Sequence, residues 1–183
     1  AMTTVSVPEM FRYWLQGGHI TVGFLGAAQI DRFGNINTTV IGDYAVPRTR
    51  LPGGGGAPEI ASLSQKVFVT MKQSHRAMVE TIDFVTSFGH GKGPGDRAAL
   101  GLETEGPAAL ITDLAVWEPD PESRELTVTR LYAGVSPAAV QDSCGWSARF
   151  SADLVESPPP TAEELSVLRA LKARTEKAHS RTS

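Results

Sequence analysis

The sequence is poor in the residues that most often announce chemistry. Its 183 residues include one cysteine, Cys144, so no disulfide can form within the chain, and a lone thiol fits a reducing, cytoplasmic compartment. The four histidines, His19, His75, His90 and His179, lie far apart without ligand spacing, which argues against a metal centre. No apolar run approaches the roughly 20 residues needed to span a bilayer. Charge of neither sign dominates: a net charge of −3 leaves no basic footprint for nucleic acid or a membrane surface. GxSxG, HExxH, CxxC and carboxylate pairs in suggestive spacing are absent, so no catalytic constellation is visible locally. What remains, 41% hydrophobic and 20% charged residues, is the composition of one ordinary domain over residues 1–183 with enough chain for a real core.

Glycine, by contrast, is plentiful, and four of the 18 are consecutive, Gly53-Gly54-Gly55-Gly56, between Leu51-Pro52 and the apolar-periodic run from Ala57. A run of four costs conformational entropy and calls for positive φ or close approach of a ligand. If it opens into a helix at Ala57-Pro58-Glu59, its N–H groups face outward in a small positive field, suited to a phosphate, a carboxylate or a developing oxyanion. A flexible turn is the alternative. Upstream, Ser6-Val7-Pro8-Glu9 forms a capping box, and the helix it opens stops at Gly17-Gly18. Ile20–Leu25 predicts a buried strand, and 26–31 with 36–42 predict a hairpin around Gly34-Asn35. Residues 43–50 then run extended into the glycine loop, where Arg48 and Arg50 either hold an anion or are simply solvated.

Further along, Lys66–Thr70, Thr81–Thr86, Ala108–Trp117 and Glu125–Tyr132 predict strands. The polar, basic stretch 71–80 is either a surface loop or an anion site, and 89–97, lacking the GxxxxGK[ST] pattern, predicts a flexible surface loop. Ser136-Pro137 starts a short helix, with the thiol of Cys144 at its end as a small apolar residue. A second capping box, Thr161–Glu164, opens a last helix over 161–178, whose Leu165, Leu168 and Leu171 stripe predicts packing by one face. Helices alternating with β-rich runs give an α/β class.

The segment 26–37, Gly-Ala-Ala-Gln-Ile-Asp-Arg-Phe-Gly-Asn-Ile-Asn, continued through Ile41–Tyr44, Pro47–Arg50 and Gly53–Ala57, resembles the β subunit of class I CoA-transferases, the glutaconate CoA-transferase branch in particular. Ile82–Ser87, Gly93-Pro94-Gly95 and Ile111–Leu114 extend the resemblance, which runs from about Phe11 to the last helix. It implies an open, Rossmann-like α/β sheet, an α subunit as partner and an active site at the α–β interface. It also implies a hetero- or homo-oligomer, coenzyme A and acyl-CoA as substrates alongside carboxylic acids, and no covalently bound cofactor. Such enzymes move CoA between acids through a glutamyl-CoA thioester.

By this resemblance Gly55 supplies an oxyanion-stabilising backbone N–H, a role worth about 10²–10³ in rate. Gly53, Gly54, Gly56 and Ala57 shape its loop, and Gln29, Asn35 and Asn37 are site neighbours or, equally, hairpin and turn stabilisers. One feature departs from the family pattern. The family's nucleophilic glutamate lies upstream of the hairpin, where this chain has only Glu9, which the capping box accounts for. The chain therefore resembles the C-terminal portion of the subunit, N-terminally truncated, and alone it is expected to be inactive, with an open sheet edge and an exposed apolar patch. The alternatives are an acyl-CoA decarboxylase or hydrolase on the same scaffold, or a non-catalytic scaffolding fragment.

Overall fold

A computed structural model describes residues 4–180. Helix α1 (Val7–Glu9) starts where the Ser6 hydroxyl accepts the Glu9 amide at 3.4 Å, with Pro8 in the first turn, and widens at once into a π-helical stretch, Met10–Leu15. Strand β1 (Val22–Leu25) follows. The predicted hairpin is present in abbreviated form as β2 (Gln29–Ile30) and β3 (Ile36–Asn37). A second hairpin replaces the extended run expected over 43–50: β4 (Val40–Gly42) pairs antiparallel with β5 (Pro47–Arg50). Asp43 makes the reversal by accepting the amides of Ala45 and Val46 at 2.7 and 3.0 Å.

The glycine loop opens into α2 (Ala57–Leu63), and β6 (Lys66–Thr70) follows it. After a long irregular stretch come α3 (Asp96–Ala99), β7 (Gly106–Ile111) and β8 (Ala115–Pro119). The apolar run 108–117 thus holds two antiparallel strands and not one. The Thr112 hydroxyl accepts the amides of Leu114 and Ala115 at 3.1 and 3.0 Å, a side-chain turn that no hydrophobicity pattern displays. Strand β9 (Leu126–Leu131), helix α4 (Pro137–Gln141), strand β10 (Arg149–Glu156) and helix α5 (Ala162–His179) complete the order. One sheet runs β1-β6-β7-β8-β9-β10, parallel at β1–β6–β7 and β9–β10, antiparallel at β7–β8–β9.

The core gathers Val67 and Val69 of β6, Leu110 of β7, Trp117 of β8 and Val128 of β9, with Ile30 of β2, Ile36 of β3 and Met78 from the stretch after β6. Trp146 stacks obliquely on Trp117, ring centroids 5.9 Å apart, and thereby fixes the lead into β10. Cys144 is buried beside it, and burial pushes its thiol up to about 11. It is therefore a protonated, unreactive thiol at neutral pH. Alkylation by iodoacetamide at pH 8 should be negligible in the folded chain and complete after denaturation; rapid labelling of the folded chain would show that the α4–β10 corner opens.

Three expectations are corrected. Residues 81–86 form no strand: the Asp83 amide and carboxylate bond the Gln29 side chain, and only a single bridge joins Ile36 to Ser87. Residues 89–97 are not a surface loop, since Gly89, His90, Gly93 and Arg97 are buried. A Cβ on Gly89 would lie 2.3 Å from the Gly34 carbonyl carbon, so here glycine serves backbone-to-backbone packing. Finally α5, although capped as expected with Thr161 and Glu164 bonding reciprocally, buries none of its residues. At the other end of the chain, β1 is a sheet edge, with its own Phe24 and, in the preceding π-helical stretch, Trp14 exposed. No helix among the described residues is long and apolar enough to cross a membrane.

Candidate functional site

In an open α/β sheet, ligands bind beyond the carboxyl ends of the parallel strands. The amides of Gln65 and Lys66 bond the carbonyls of Ile20 and Thr21, which ties the end of α2 to the start of β1. Helix α2 therefore runs antiparallel to β1 and β6, and its N-terminal glycine loop sits at their carboxyl ends. Both hairpins and the 71–80 loop leave the sheet at that same end, because they follow β1 and β6 directly.

The loop is anchored at its front and free at its back. Leu51 N donates to Thr39 O at 3.0 Å, Gly53 N to Thr38 O at 2.9 Å, and the Thr38 hydroxyl returns a bond to Gly53 O at 2.9 Å. Ala57 N closes the turn onto Gly54 O at 2.9 Å. Among the described residues the amides of Gly54, Gly55 and Gly56 find no acceptor. Gly53 and Gly55 hold φ of +97° and +51°, left-handed values that only glycine adopts without strain. The result is three consecutive main-chain donors without acceptors at a helix start.

Gln29 and Asn37 lie in the frame beneath this loop. Asn37 is fully buried; its Nδ2 donates to Gln29 Oε1 and Val40 O, both at 2.6 Å, while its Oδ1 accepts the Thr39 amide at 2.9 Å. Gln29 Nε2 donates to Asp83 Oδ2 at 2.9 Å, and the same carboxylate oxygen accepts the Gly42 amide at 3.0 Å. The Asn37–Gln29–Asp83 chain thus locks both hairpins to the 81–86 segment and presents Thr38 to Gly53. Asn35 acts elsewhere. Its Oδ1 accepts the amides of Gly89 and Gly91 at 2.9 and 3.2 Å, and its Nδ2 donates to Asp31 at 2.8 Å. Burial raises the pKa of Asp31 against the lowering effect of its hydrogen bonds from Asn35 and Phe33. Ala57, at the first turn of α2, packs on the core.

Beside the loop is a cavity of about 690 Å³. Ile41, Leu51 and Val79 give it apolar walls, Gln29 reaches it from β2, and Arg48, His75 and Arg76 line it from β5 and the 71–80 loop. The anion-site alternatives for Arg48 and for the 71–80 loop therefore meet in one place, whereas Arg50 bends over the Tyr44 ring at 4.5 Å. Pattern and composition point to neither Thr38 nor Asp83, although both hold the loop's frame. Thr38 carries no signal apart from following Asn37, and Asp83 reads as a solvent-facing position in an alternating strand.

The Coenzyme A transferase family matches residues 3–143. The B subunit of 3-oxoadipate CoA-transferase from Pseudomonas knackmussii is 56% identical over 179 residues, which cover 98% of this chain and 69% of that protein. The B subunit of glutaconate CoA-transferase from Acidaminococcus fermentans is 36% identical over 154 residues, covering 83% of this chain and 58% of that one. The crystal structure of the Acidaminococcus fermentans glutaconate coenzyme A-transferase superposes with a TM-score of 0.76 at 34% identity, over 86% of this chain and 60% of that chain. The chain thus spans about six- to seven-tenths of the length of these relatives. With the open α/β sheet and its glycine loop in place, and with these matches, the chain belongs to the coenzyme A transferase family and has the fold of its β subunits.

Proposed function

We propose that this chain is part of the β subunit of an acyl-CoA:carboxylate CoA-transferase and works with an α subunit on dicarboxylic acids. The observation that carries the reading is the glycine loop, whose three acceptor-less amides sit at the carboxyl ends of the parallel strands in a member of this family. A glutamate carboxylate attacks the donor thioester, CoA thiolate leaves and a mixed anhydride forms. The thiolate then attacks the glutamyl carbonyl, giving a glutamyl-CoA thioester and releasing the first acid. The same two steps in reverse, with a second carboxylate, load the acceptor. Each attack places a negative charge on a carbonyl oxygen, and the Gly55 amide is the donor assigned to it, flanked by those of Gly54 and Gly56. The dicarboxylate assignment draws on the two relatives named above, whose names give 3-oxoadipate and glutaconate.

The test is a transfer assay on the full-length subunit, alone and assembled with its partner, with acetyl-CoA as donor and 3-oxoadipate or glutaconate as acceptor. Transfer is expected only from the complex, with borohydride trapping an adduct on a glutamate outside these 183 residues. A complex that binds CoA esters yet only hydrolyses or decarboxylates them would overturn the transferase reading.

A further inference from the structure

We infer that the cavity beside the glycine loop seats the remote, non-reacting carboxylate of the acid, gripped by Arg48 and Arg76 with His75 beside them, so that these side chains set the preference for dicarboxylates. This rests on the transferase reading above. The cavity brings three basic side chains from two separate elements around one space, and no aspartate or glutamate lines it. Nor do the described residues offer Arg48, His75 or Arg76 a hydrogen-bonded or ion-paired side-chain partner. The carboxylates nearest in sequence are engaged elsewhere: Asp43 caps its own hairpin turn, Glu80 pairs with Arg32 at 2.9 Å, and Asp83 holds Gln29 and Gly42. The three side chains are exposed at the rim of this space, and two arginines without a facing carboxylate give it a positive field suited to an anion.

The walls favour an acid over a phosphate. Ile41, Leu51 and Val79 supply apolar surface for a short methylene chain, with the charges set around it. Leu51 lines the cavity two residues ahead of Gly53, so the cavity adjoins the loop and the acid is proposed to lie across both. Its reacting carboxyl would meet the glycine amides while its far carboxylate meets the arginines, whose planar forks match carboxylate geometry.

The experiment uses the full-length subunit assembled with its partner, comparing Arg48→Gln, Arg76→Gln and the corresponding lysine variants. For each, kcat/KM is measured for a dicarboxylate acceptor and for the monocarboxylate of equal length. Each glutamine variant should lower the dicarboxylate-to-monocarboxylate ratio about tenfold or more, through KM, and lysine should restore part of it. Because the two arginines lie on different elements, misfolding of one variant leaves the other informative. An unchanged ratio in both variants overturns the inference while leaving the transferase reading intact. So does a rise in KM for the CoA ester that vanishes when acyl-dephospho-CoA is the donor, which would assign the cations to a CoA phosphate. If the unaltered complex transfers CoA to neither acid, it is the transferase reading that fails.

Discussion

A Gly55→Val subunit, assembled with its partner, is expected to lose about 10²-fold in kcat with little change in KM. Space is not the reason, since a Cβ at Gly55 would meet no atom within 4 Å. The reason is φ, which is +51° at this residue. A left-handed conformation costs an L-residue about 1–2 kcal/mol, and most for a β-branched one. Valine is expected to relieve that strain by rotating the peptide, which re-aims the Gly55 amide proposed to meet the oxyanion. Asparagine tolerates the left-handed region far better, so Gly55→Asn should keep kcat within about tenfold of the parent on the same principle of preserved geometry. Equal kcat in the valine variant and the parent would show that this amide takes no part in the chemistry. The melting temperature should barely move, because the loop is anchored at Leu51 and Gly53, ahead of the altered peptide.

The largest loss of stability is expected from Arg97→Ala. Arg97 is 8% exposed, and no carboxylate among the described residues pairs with it. Burial lowers its pKa from the ordinary arginine value. Its guanidinium is satisfied by oxygens alone: Nε donates to Thr104 O at 3.1 Å, Nη1 to Gly89 O at 2.9 Å and Nη2 to the Thr104 hydroxyl at 2.6 Å. One planar group thus ties the 88–90 segment to the lead into β7, and the Thr104 hydroxyl in turn donates to Ser62 O at 2.8 Å. Alanine leaves the buried Gly89 carbonyl and the half-buried Thr104 carbonyl unpaired, at about 1–3 kcal/mol each, besides a cavity. A total of roughly 4 kcal/mol corresponds to a fall of about 8–16 °C in Tm for a chain of this size. Lysine cannot reproduce the fork and should recover little. A thermal melt of Arg97→Ala that overlays the parent would refute this account of how the segment is held.

The parts of the fold that sequence disclosed are those with a local cause. Ser6 and Thr161 announce their helices through side-chain caps, the β-branched run Lys66–Thr70 can only be extended, and the glycine loop stands out by composition. What stayed hidden depends on distant partners. The Thr112 hydroxyl divides an apolar run that looks continuous. The glycines of 89–95 suggest exposure, yet Gly89 is small in order to lie against Gly34 and Asn35. Residues 81–86 alternate like a strand, but Gln29 and Ile36 claim their polar groups. Within the candidate site, the glycine loop stands out by composition and Gln29 as a polar residue in a small-residue strand segment. The convergence of Arg48 with His75 and Arg76 does not, because it depends on β5 and the 71–80 loop, about 27 residues apart, meeting beyond the carboxyl ends of the parallel strands, a consequence of crossover topology. The leucine stripe of α5 shows which face of the helix can pack and is silent on whether anything lies opposite.

That last helix has a hydrodynamic consequence. A compact chain of 183 residues has a radius of gyration of about 16 Å. The 18 residues of α5 form a rod about 27 Å long, and none of them is buried. Joined to the body through the proline-rich stretch 158–160 and with none of its residues buried, the helix adds friction beyond that of a sphere of equal mass.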